Sequence, residues 1–360
     1  MKITKYNAIC NLGSNIDEVF SKALLGNDCC FFLECDKRLG KVETELPEIK
    51  NEDYNIRANR LMLECLKPLE IEKCGKDLAV VCATTNSGVE EYETTHNIKH
   101  YEIGNPAEFI HKYYNLDGYY TSVSTACSSG IKAFSIAKEL LDSGIAEQVL
   151  VFGVDTLAKV PIYGFDSLEI LSKEPTNPFS KNRKGINIGE GAAAFLLEKG
   201  NVGIEVVGIG ETTDFYHSTT PDPEGVEAER AIRLALGEIK KVDYINLHGT
   251  GTYANDLMEG RAINRALGSD VPASSTKPLT GHCLGAAASV EIALCCKLLE
   301  NKPEQVFPHV YDGVYDDEIP QIMLADKGTI VKNIKTCLCT SFGFGGTNAA
   351  IVLRRNDNEL

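Results

Sequence analysis

Short apolar runs alternate with longer amphipathic stretches along this chain of 360 residues. Several of the short runs are continuously apolar, which is typical of strands that helices cover on both faces. The predicted strands are 78–83, 148–153, 192–197, 204–208, 244–247, 321–325 and 349–353. The predicted helices, which have a helical spacing of apolar residues, are 15–25, 54–67, 129–141, 225–236, 256–267 and 286–299. This alternation predicts an α/β fold.

A charged, glycine-containing break at 198–201 follows one of the predicted strands and divides the chain into two parts. In each part, small residues precede an apolar helix: TSVSTACSSGIKAFSIAKELL carries a cysteine and ASSTKPLTGHCLGAAASVEIALCCKLL a histidine. We interpret 1–200 and 201–360 as two α/β halves, which could be duplicated units packed face to face. Any strand–turn–helix unit has small residues at its turn, so the echo alone does not establish a duplication.

The charge of the chain narrows the range of partners. Lys and Arg number 36 and Asp and Glu number 51, which gives a net charge of −15. A nucleic-acid-binding protein needs a dominant basic face, so this balance argues against nucleic acid as a partner. It does not exclude an acidic protein partner, because docking requires only a local basic patch.

Membrane insertion, export and a zinc site are likewise not expected. The chain has no apolar run near the ~18–20 residues that cross a bilayer, and its first fifteen residues lack the apolar core of a signal peptide. The 13 cysteines, with the adjacent pairs Cys29–Cys30 and Cys295–Cys296, include no CxxC pair. We therefore expect a cytoplasmic protein in which most cysteines are small buried apolar residues.

Cys127 is the exception among the cysteines. It lies in STACSSG, directly before the helix predicted at 129–141. A thiol at a helix N-terminus experiences the positive end of the helix dipole, which favours the thiolate and would lower its pKa. Cys127 is thus a candidate nucleophile, and the alternative is a cysteine that merely packs between strand and helix.

Two histidines occupy similar positions. His248 lies in NLHGTGT at the carboxyl end of an apolar strand, the edge where open α/β sheets place their sites, and His282 precedes a Gly- and Ala-rich helix. Each alone could be a capping residue. Together they could polarise a thioester carbonyl and assist proton transfer. A metal site would need a third ligand at suitable spacing, and none stands out in the sequence.

A glycine-rich segment, SFGFGGTN at 341–348, precedes the last predicted strand. Its glycines allow close approach of the backbone, whose N–H groups could bind an oxyanion. A phosphate-binding loop is disfavoured, because no Lys-Ser/Thr pair follows and no helix begins here. A plain glycine-rich turn is the alternative.

The motifs TACSSG, HGTGT, STKPLTGHCLGAAASVE and SFGFGGTN occur in this order, with NPFSKNRKGINIGEGA between the first and the second. Together they resemble the β-ketoacyl-acyl-carrier-protein synthases of the decarboxylating Cys-His-His type, within the thiolase-like superfamily. The resemblance extends from about residue 78 to residue 352. The segment YGFDSL at 163–168 is similar to that of the small synthases of aryl-polyene-type clusters.

The resemblance implies a thiolase-like fold of two pseudo-symmetric halves in α-β-α-β-α layers. It implies a decarboxylative Claisen condensation between an acyl thioester, held on Cys127, and malonyl-acyl-carrier-protein, in fatty acid, aryl polyene or polyketide-like biosynthesis. It implies no metal and no cofactor, since the substrates carry phosphopantetheine on the acyl carrier protein. The expected assembly is a homodimer, with a heterodimer of homologous subunits as the alternative.

The resemblance also assigns roles to individual residues. Cys127 matches the acyl-accepting nucleophile, His248 and His282 the histidine pair, and Lys277 the lysine that organises the site. Phe344 matches the residue whose N–H joins that of Cys127 in the oxyanion hole and whose ring gates the pocket. The implied substrate-binding residues are Thr250, Thr252, Phe165 and Phe342, and the implied supporting carboxylates are Glu291, Asp256 and Glu259.

One predicted helix carries basic residues that could bind an acidic carrier protein. Arg57, Arg60 and Lys67 can share one face of the helix predicted at 54–67, together with Glu64, and form either a carrier-docking patch or an ordinary solvated face.

Two related enzyme classes are disfavoured. A Cys-His-Asn initiation synthase would have an asparagine in the place of His282, and a thiolase would use a second cysteine as its base. The alternatives are a non-catalytic chain-length partner subunit of a heterodimeric ketosynthase, a thiolase-like acyltransferase and a cysteine hydrolase.

Overall fold

The computed structural model describes residues 1–27, 30–34 and 36–356. Its strands are β1 (Lys2–Cys10), β2 (Phe32–Glu34), β3 (Lys37–Gly40), β4 (Ala79–Ala83), β5 (Tyr120–Val123), β6 (Gln148–Asp155), β7 (Ile188–Gly189), β8 (Gly191–Glu198), β9 (Ile204–Thr213), β10 (Tyr244–Asn246), β11 (Ala273–Ser274), β12 (Thr336–Gly343) and β13 (Thr347–Arg354). Its α-helices are α1 (Ile16–Leu25), α2 (Arg57–Leu66), α3 (Val89–Thr95), α4 (Ile98–Tyr101), α5 (Asn105–Tyr113), α6 (Ser129–Asp142), α7 (Lys159–Ser167), α8 (Val226–Leu236), α9 (Tyr253–Leu267), α10 (Lys277–Thr280) and α11 (Ala287–Asn301).

Ten of these strands form one sheet in the order β11-β10-β12-β13-β9-β1-β8-β6-β4-β5. The sheet consists of two sets of five strands, β11-β10-β12-β13-β9 and β5-β4-β6-β8-β1. From its outer edge inward, each set has two parallel pairings followed by two antiparallel ones. Ranked by chain position, the five strands of each set also follow the same spatial order, 3-2-4-5-1. The two sets meet where β1 pairs with β9. This repeated topology is the pseudo-symmetry that the sequence echo suggested.

Helices form three layers around the two sets of strands. The largest core cluster joins α6 and α11 to both sets, through residues such as Phe134 and Leu294. A second cluster packs α2 and α5 against the β1–β5 side, and a third packs α8 and α9 against the β9–β13 side. The layers are therefore α-β-α-β-α, as expected. The boundary predicted at residue 200 lies between β8 and β9, and as a division into domains it stays a prediction.

Most predicted elements correspond to observed ones, and the strand predicted at 321–325 is wrong. That segment makes only an isolated bridge, Ala273 with Leu324, because its neighbour β11 is two residues long. The helix predicted at 54–67 begins at Arg57 and ends at Leu66, with a separate 3₁₀ turn at Lys67–Leu69 that contains Pro68. No helix among the described residues is long and apolar enough to cross a bilayer.

The cysteines within the described residues are free thiols, and most of them are buried. Cys29 and Cys35 lie outside the described residues. Cys295 and Cys339 form a close buried contact, with 3.4 Å between their sulfur atoms. The interpretation of most cysteines as small apolar core residues therefore fits their burial.

Candidate active site

Cys127 and His282 meet because α6 and α11 pack side by side in the central layer. Cys127 lies just before α6 and His282 shortly before α11, at equivalent places in the two halves. The Cys127 Sγ and His282 Nε2 atoms are 3.0 Å apart. Small residues make this approach possible: a Cβ added to Gly130 of α6 would lie 2.8 Å from the backbone nitrogen of Ser289 in α11.

The backbone before Cys127 forms a strained turn. Ala126 has φ of +52°, a left-handed conformation that is unfavourable for a residue with a Cβ. The turn is fixed by side-chain bonds from the N-cap residue and the first residue of α6, because Ser128 Oγ donates to the Thr125 carbonyl at 2.7 Å and Ser129 Oγ to the Ala126 carbonyl at 2.6 Å. Ser341 Oγ also donates to the Cys127 carbonyl, at 2.8 Å. These contacts hold the thiol at the cavity wall.

His248 is held by a buried carboxylate. Glu259 of α9 accepts hydrogen bonds from the backbone nitrogens of His248 and Gly249, both at 2.7 Å, and from Thr340 Oγ1 at 2.7 Å. Asp256 of the same helix accepts from the Gly251 nitrogen at 3.2 Å. Glu259 and Asp256 thus fix the turn that carries His248, as the supporting role implied.

The two histidines and Lys277 form one buried group. The rings of His248 and His282 are 5.4 Å apart at 85°. The Lys277 ammonium lies 3.3 Å from His248 Nδ1 and 2.5 Å from Glu291 Oε1. Since an ammonium can only donate, His248 Nδ1 is an acceptor in this contact, and a neutral His248 carries its proton on Nε2.

Burial and Lys277 keep both imidazoles neutral. Burial lowers the pKa of His248 well below its usual value, and the Lys277 ammonium and His282 lower it further, against the opposing effect of the Phe342 backbone. Burial and then Lys277 also lower the pKa of His282 well below its usual value. The histidine pair is therefore uncharged at neutral pH, which suits a pair of N–H donors.

The pKa of the Cys127 thiol is raised, whereas its position before a helix predicts a lowered value. Burial raises its pKa to about 12, although Lys277 and the backbone N–H of Cys127 itself act in the opposite direction. The expectation that the helix terminus would lower this pKa is wrong, because removal of the thiolate from water outweighs the favourable charges. The resting pair is a neutral thiol beside a neutral imidazole.

This pairing predicts a distinctive pH dependence of alkylation. A thiol whose pKa is raised gains thiolate continuously as the pH rises, so we expect the rate of Cys127 alkylation by iodoacetamide to increase about tenfold per pH unit from pH 7 to 10. Peptide mass spectrometry at each pH measures the rate. N-acetylcysteine is the control, and its alkylation rate should level off above the ordinary pKa of its thiol. A plateau for Cys127 below pH 8 would contradict the raised pKa.

The glycine-rich segment forms the hairpin between β12 and β13 and reaches the Cys127 turn. A Cβ added to Gly343 would lie 2.9 Å from the Thr125 carbonyl oxygen and 3.2 Å from the Cys127 nitrogen. Glycine is therefore required at this contact, and the next residue, Phe344, lines both cavities that contain Cys127. This arrangement suits an oxyanion hole formed by the Cys127 and Phe344 N–H groups.

Two cavities share Cys127, Phe165 and Phe344. One, of about 300 Å³, is also lined by both histidines, Phe342, Thr250 and Thr252. The other, of about 340 Å³, is mostly apolar, with Val89, Ile103, Val160 and Leu284 among its lining residues. The Phe165 and Phe344 rings are 5.5 Å apart and lie between the two cavities. The implied substrate-binding residues are thus brought to one place.

Cys127, His248 and His282 are also a possible metal-ligand set. One ligand atom from each lies within 4.8 Å of the others, so the third ligand that the sequence did not reveal is Cys127 itself. The Lys277 ammonium beside His248 opposes a cation at this position. Among the described residues, no other group of histidine, cysteine or carboxylate side chains is close enough to hold a metal.

The docking patch is not assembled as expected. Arg57 binds the fully buried Glu190, with Nε 2.9 Å from Oε2, and also donates to the Val42 carbonyl, so it is not available to a carrier protein. Lys67 lies beyond the end of α2 and pairs with Glu64. A docking role for Arg60 and Lys67 stays a prediction.

Asp155, at the end of β6, is a site residue that the sequence analysis missed. Its buried carboxylate accepts from the Gly285 nitrogen at 2.7 Å, just after His282, and from the Thr85 nitrogen at 2.9 Å, in the wall of the apolar cavity. It therefore ties the His282 turn to that cavity. The available signal was an acidic residue that ends a continuously apolar strand, VLVFGVD.

Comparison with known proteins agrees with this geometry. Residues 75–202 match the family model "Beta-ketoacyl synthase, N-terminal domain", and residues 204–310 match "Beta-ketoacyl synthase, C-terminal domain". The 3-oxoacyl-[acyl-carrier-protein] synthase 2 of Vibrio cholerae is 32% identical over 67% of this chain and 63% of its own length. The tetracenomycin polyketide synthase ketoacyl synthase alpha subunit of Streptomyces glaucescens is 33% identical over 66% of this chain and 61% of its own length. These alignments span less than two thirds of both relatives.

Solved structures extend the likeness to nearly the whole chain. A chain of the complex between a ketosynthase and its chain length factor from Xenorhabdus doucetiae has a TM-score of 0.91 and is 34% identical over 98% of this chain and 97% of that chain. A β-ketoacyl synthase from Burkholderia phymatum, 23% identical over 99% of this chain and 100% of that chain, has the same fold with a TM-score of 0.87. Together with the layered fold and the Cys127, His248 and His282 cluster, these matches establish that the chain belongs to the β-ketoacyl synthase family of the thiolase-like superfamily.

Proposed function

We propose that this protein is a decarboxylating β-ketoacyl-acyl-carrier-protein synthase. One observation carries the proposal: the Cys127 thiol lies 3.0 Å from His282 Nε2, in a cavity that also contains His248. A nucleophile next to a base, with a second neutral imidazole alongside, provides the groups that thioester exchange and enolate formation require. The names of the Vibrio cholerae and Streptomyces glaucescens relatives support the same reaction.

The first half-reaction loads an acyl group on Cys127. As Sγ attacks the acyl thioester, its proton moves to His282 Nε2 and then to the sulfur of the departing phosphopantetheine arm. The tetrahedral oxyanion is bound by the N–H groups of Cys127 and Phe344. Thr250 and Thr252, whose hydroxyl oxygens are 3.0 Å apart at the cavity wall, hydrogen-bond the arm.

The second half-reaction begins with loss of CO₂ from malonyl-acyl-carrier-protein. The resulting enolate oxygen accepts hydrogen bonds from His248 Nε2–H, whose tautomer the Lys277 contact fixes, and from His282 after that ring has taken up a proton on Nε2 and released the one on Nδ1. The enolate carbon then attacks the acyl-Cys127 carbonyl. Collapse of the oxyanion releases the β-ketoacyl carrier and the Cys127 thiolate, which takes up one proton. No metal or cofactor takes part in these steps.

Mass spectrometry of the purified protein tests the proposal directly. Incubation with a panel of acyl-carrier thioesters should add one acyl group at Cys127, and subsequent addition of malonyl-carrier should release a β-ketoacyl-carrier and restore the free thiol. An inert chain-length partner would acquire no acyl group. A cysteine hydrolase would release free acid without malonyl-carrier. Either outcome would contradict the proposed function, and the acyl panel would show whether the pathway is that of fatty acids, aryl polyenes or polyketides.

The proposed partners are an acyl carrier protein and a second synthase-like subunit in the cytoplasm. The strand β5 lies at an edge of the ten-stranded sheet and begins at the exposed Tyr120, directly after the exposed Tyr119, and such an edge favours pairing with another chain. That subunit is a second copy or, as in the Xenorhabdus doucetiae complex, a chain length factor. A dimer of the purified chain in light scattering supports the first, and a monomer that binds only a homologous subunit supports the second.

A further inference from the structure

His309 is buried behind the candidate active site, in the segment between α11 and β12, and has no role in the steps above. It lines neither of the cavities that contain Cys127. Its Nδ1 accepts a hydrogen bond from the Ser275 backbone nitrogen at 3.1 Å, and its Nε2 is 2.9 Å from the Pro178 carbonyl oxygen. Both contacts are satisfied together only by the neutral tautomer with its proton on Nε2.

Ser275, which His309 holds, connects the two catalytic turns. Its Oγ donates to the Gly249 carbonyl at 2.8 Å, one residue after His248, and accepts from the Lys277 nitrogen at 3.2 Å. The packing is close, since a Cβ added to Gly249 would lie 2.5 Å from Ser275 Cβ. A displacement of Ser275 would therefore move the His248 turn and the start of α10 together.

The other side of His309 leads back to the same turn. Next to Pro178, the Phe179 nitrogen donates to Asp256 Oδ2 at 2.9 Å, and Asp256 Oδ1 accepts from the Gly251 nitrogen. The contacts form a closed circuit that runs from Gly249 through Ser275, His309, Pro178–Phe179 and Asp256 to Gly251. His309 is the side chain that joins its two arms.

From this circuit we propose that His309 is a positioning residue, which sets the placement of His248 relative to Lys277 by accepting the hydrogen bond of the Ser275 N–H. The inference deepens the proposed function and rests on it. His309 does not touch the Cys127–His282 pair, so it acts on decarboxylation and not on acyl loading.

The electrostatics of His309 agree with this role. Burial lowers its pKa to about 4, against the opposing effects of the Pro178 carbonyl and Asp326. The ring is therefore neutral at physiological pH, and its Nδ1 stays an acceptor for the Ser275 N–H. Sequence patterns do not point to this residue, because a lone histidine after a proline in a long segment has no motif around it.

Two substitutions separate the two hydrogen bonds. In His309→Asn the side-chain oxygen takes the place of Nδ1 and keeps the bond to Ser275. In His309→Gln the terminal amide reaches the place of Nε2 and keeps the bond to Pro178 while leaving the buried Ser275 N–H without an acceptor. Asn59→Ala is the matched control, because Asn59 of α2 is also fully buried and bonds the Tyr54 carbonyl at 2.9 Å, away from both cavities.

Malonyl-carrier decarboxylation, acyl loading of Cys127 and the melting temperature are measured for each variant. Displacement of catalytic groups by about 1 Å can cost ~10²-fold in rate, so we expect His309→Gln to lower the decarboxylation kcat by about 10–100-fold. We expect His309→Asn to stay within about threefold of the wild type, and both variants to load acyl groups at the wild-type rate. Asn59→Ala should lower only the melting temperature. If His309→Gln does not fold, Ser275→Ala breaks the same circuit and should show the same selective loss.

The outcomes distinguish failure of the proposed function from failure of the positioning role of His309. A wild type that neither loads nor decarboxylates would overturn the proposed function and this inference with it. If the wild type is active, three results would overturn the positioning role alone. His309→Gln and His309→Asn could be equally impaired, or a variant could lose loading and decarboxylation in parallel. The rates of the variants could also simply follow their melting temperatures, as for Asn59→Ala.

Discussion

Replacement of Cys127 by serine abolishes acyl transfer from a carrier thioester to the protein while the fold is kept. We expect the loading rate to fall by roughly 10⁴-fold or more, as when a catalytic nucleophile is removed in other enzymes. An alcohol is a far weaker acid than a thiol, and His282, whose pKa burial and Lys277 lower, is too weak a base to compensate. Oxygen is smaller than sulfur and Cys127 lies at a cavity wall, so no steric strain is introduced.

Cys283→Ser is the matched control for this experiment. Cys283 is buried next to His282, and its thiol is within hydrogen-bond distance of the backbone carbonyls of Thr280 and Gly281, which a hydroxyl can also contact. This variant should load acyl groups normally. Cys127→Ser should still decarboxylate malonyl-carrier, because the enolate is stabilised by His248 and His282. Acyl groups found on the Cys127→Ser protein at another cysteine would contradict the assignment of the nucleophile.

The elements that the sequence predicts well are those that the core dictates. The runs at 148–153, 192–197 and 349–353 are buried on both faces, and they correspond to β6, β8 and β13 at the centre of each half. Likewise, the helical spacing of 129–141 and 286–299 reflects their place in the central layer as α6 and α11. Hydrophobic periodicity reports burial, and here burial follows the layers closely.

Sequence patterns do not predict the elements whose main contacts are with residues far along the chain. The strand β1, at the centre of the sheet, contains Lys2 and Lys5, which form ion pairs with Glu205 and Glu70 far along the chain. The strand β12, TCLCTSFG, has small and polar residues that pack closely against buried groups. The helix α7 has no buried residue and contains Pro161, so it lacks an apolar face for a pattern to reveal. Local sequence carries no signal for such tertiary contacts.

The candidate site divides in the same way. Cys127, His248 and His282 are identified by their place at a strand or helix end among small residues, and Lys277 by the family resemblance. The distances between them depend on how α6 packs against α11, which no local pattern specifies. The raised pKa of Cys127 follows from burial in the assembled cavity, and the same is true of the contacts of Asp155 and His309. Geometry and electrostatics of this kind belong to the tertiary structure.

Replacement of Lys277 by methionine is expected to damage stability and catalysis through separable causes. The substitution leaves the buried Glu291 without its ammonium partner, which typically costs about 3–5 kcal/mol in the free energy of unfolding. Burial already raises the pKa of Glu291 and Lys277 opposes that effect, so in the variant this carboxyl favours its protonated form. Loss of the donor to His248 Nδ1 also frees the tautomer of that histidine, and we expect decarboxylation to fall by ~10²-fold or more.

The double variant Lys277→Met/Glu291→Gln separates these effects. It replaces the buried ion pair by neutral groups of similar size, so chemical denaturation should show most of the lost stability restored, whereas decarboxylation should stay low. Lys277 lowers the pKa of both His248 and His282, so its removal raises both values. The residual activity of the variants should therefore decline on acidification at a higher pH than that of the wild type. Recovery of activity together with stability would mean that Lys277 serves the fold alone, and an unchanged pH profile would mean that its charge does not reach the histidines.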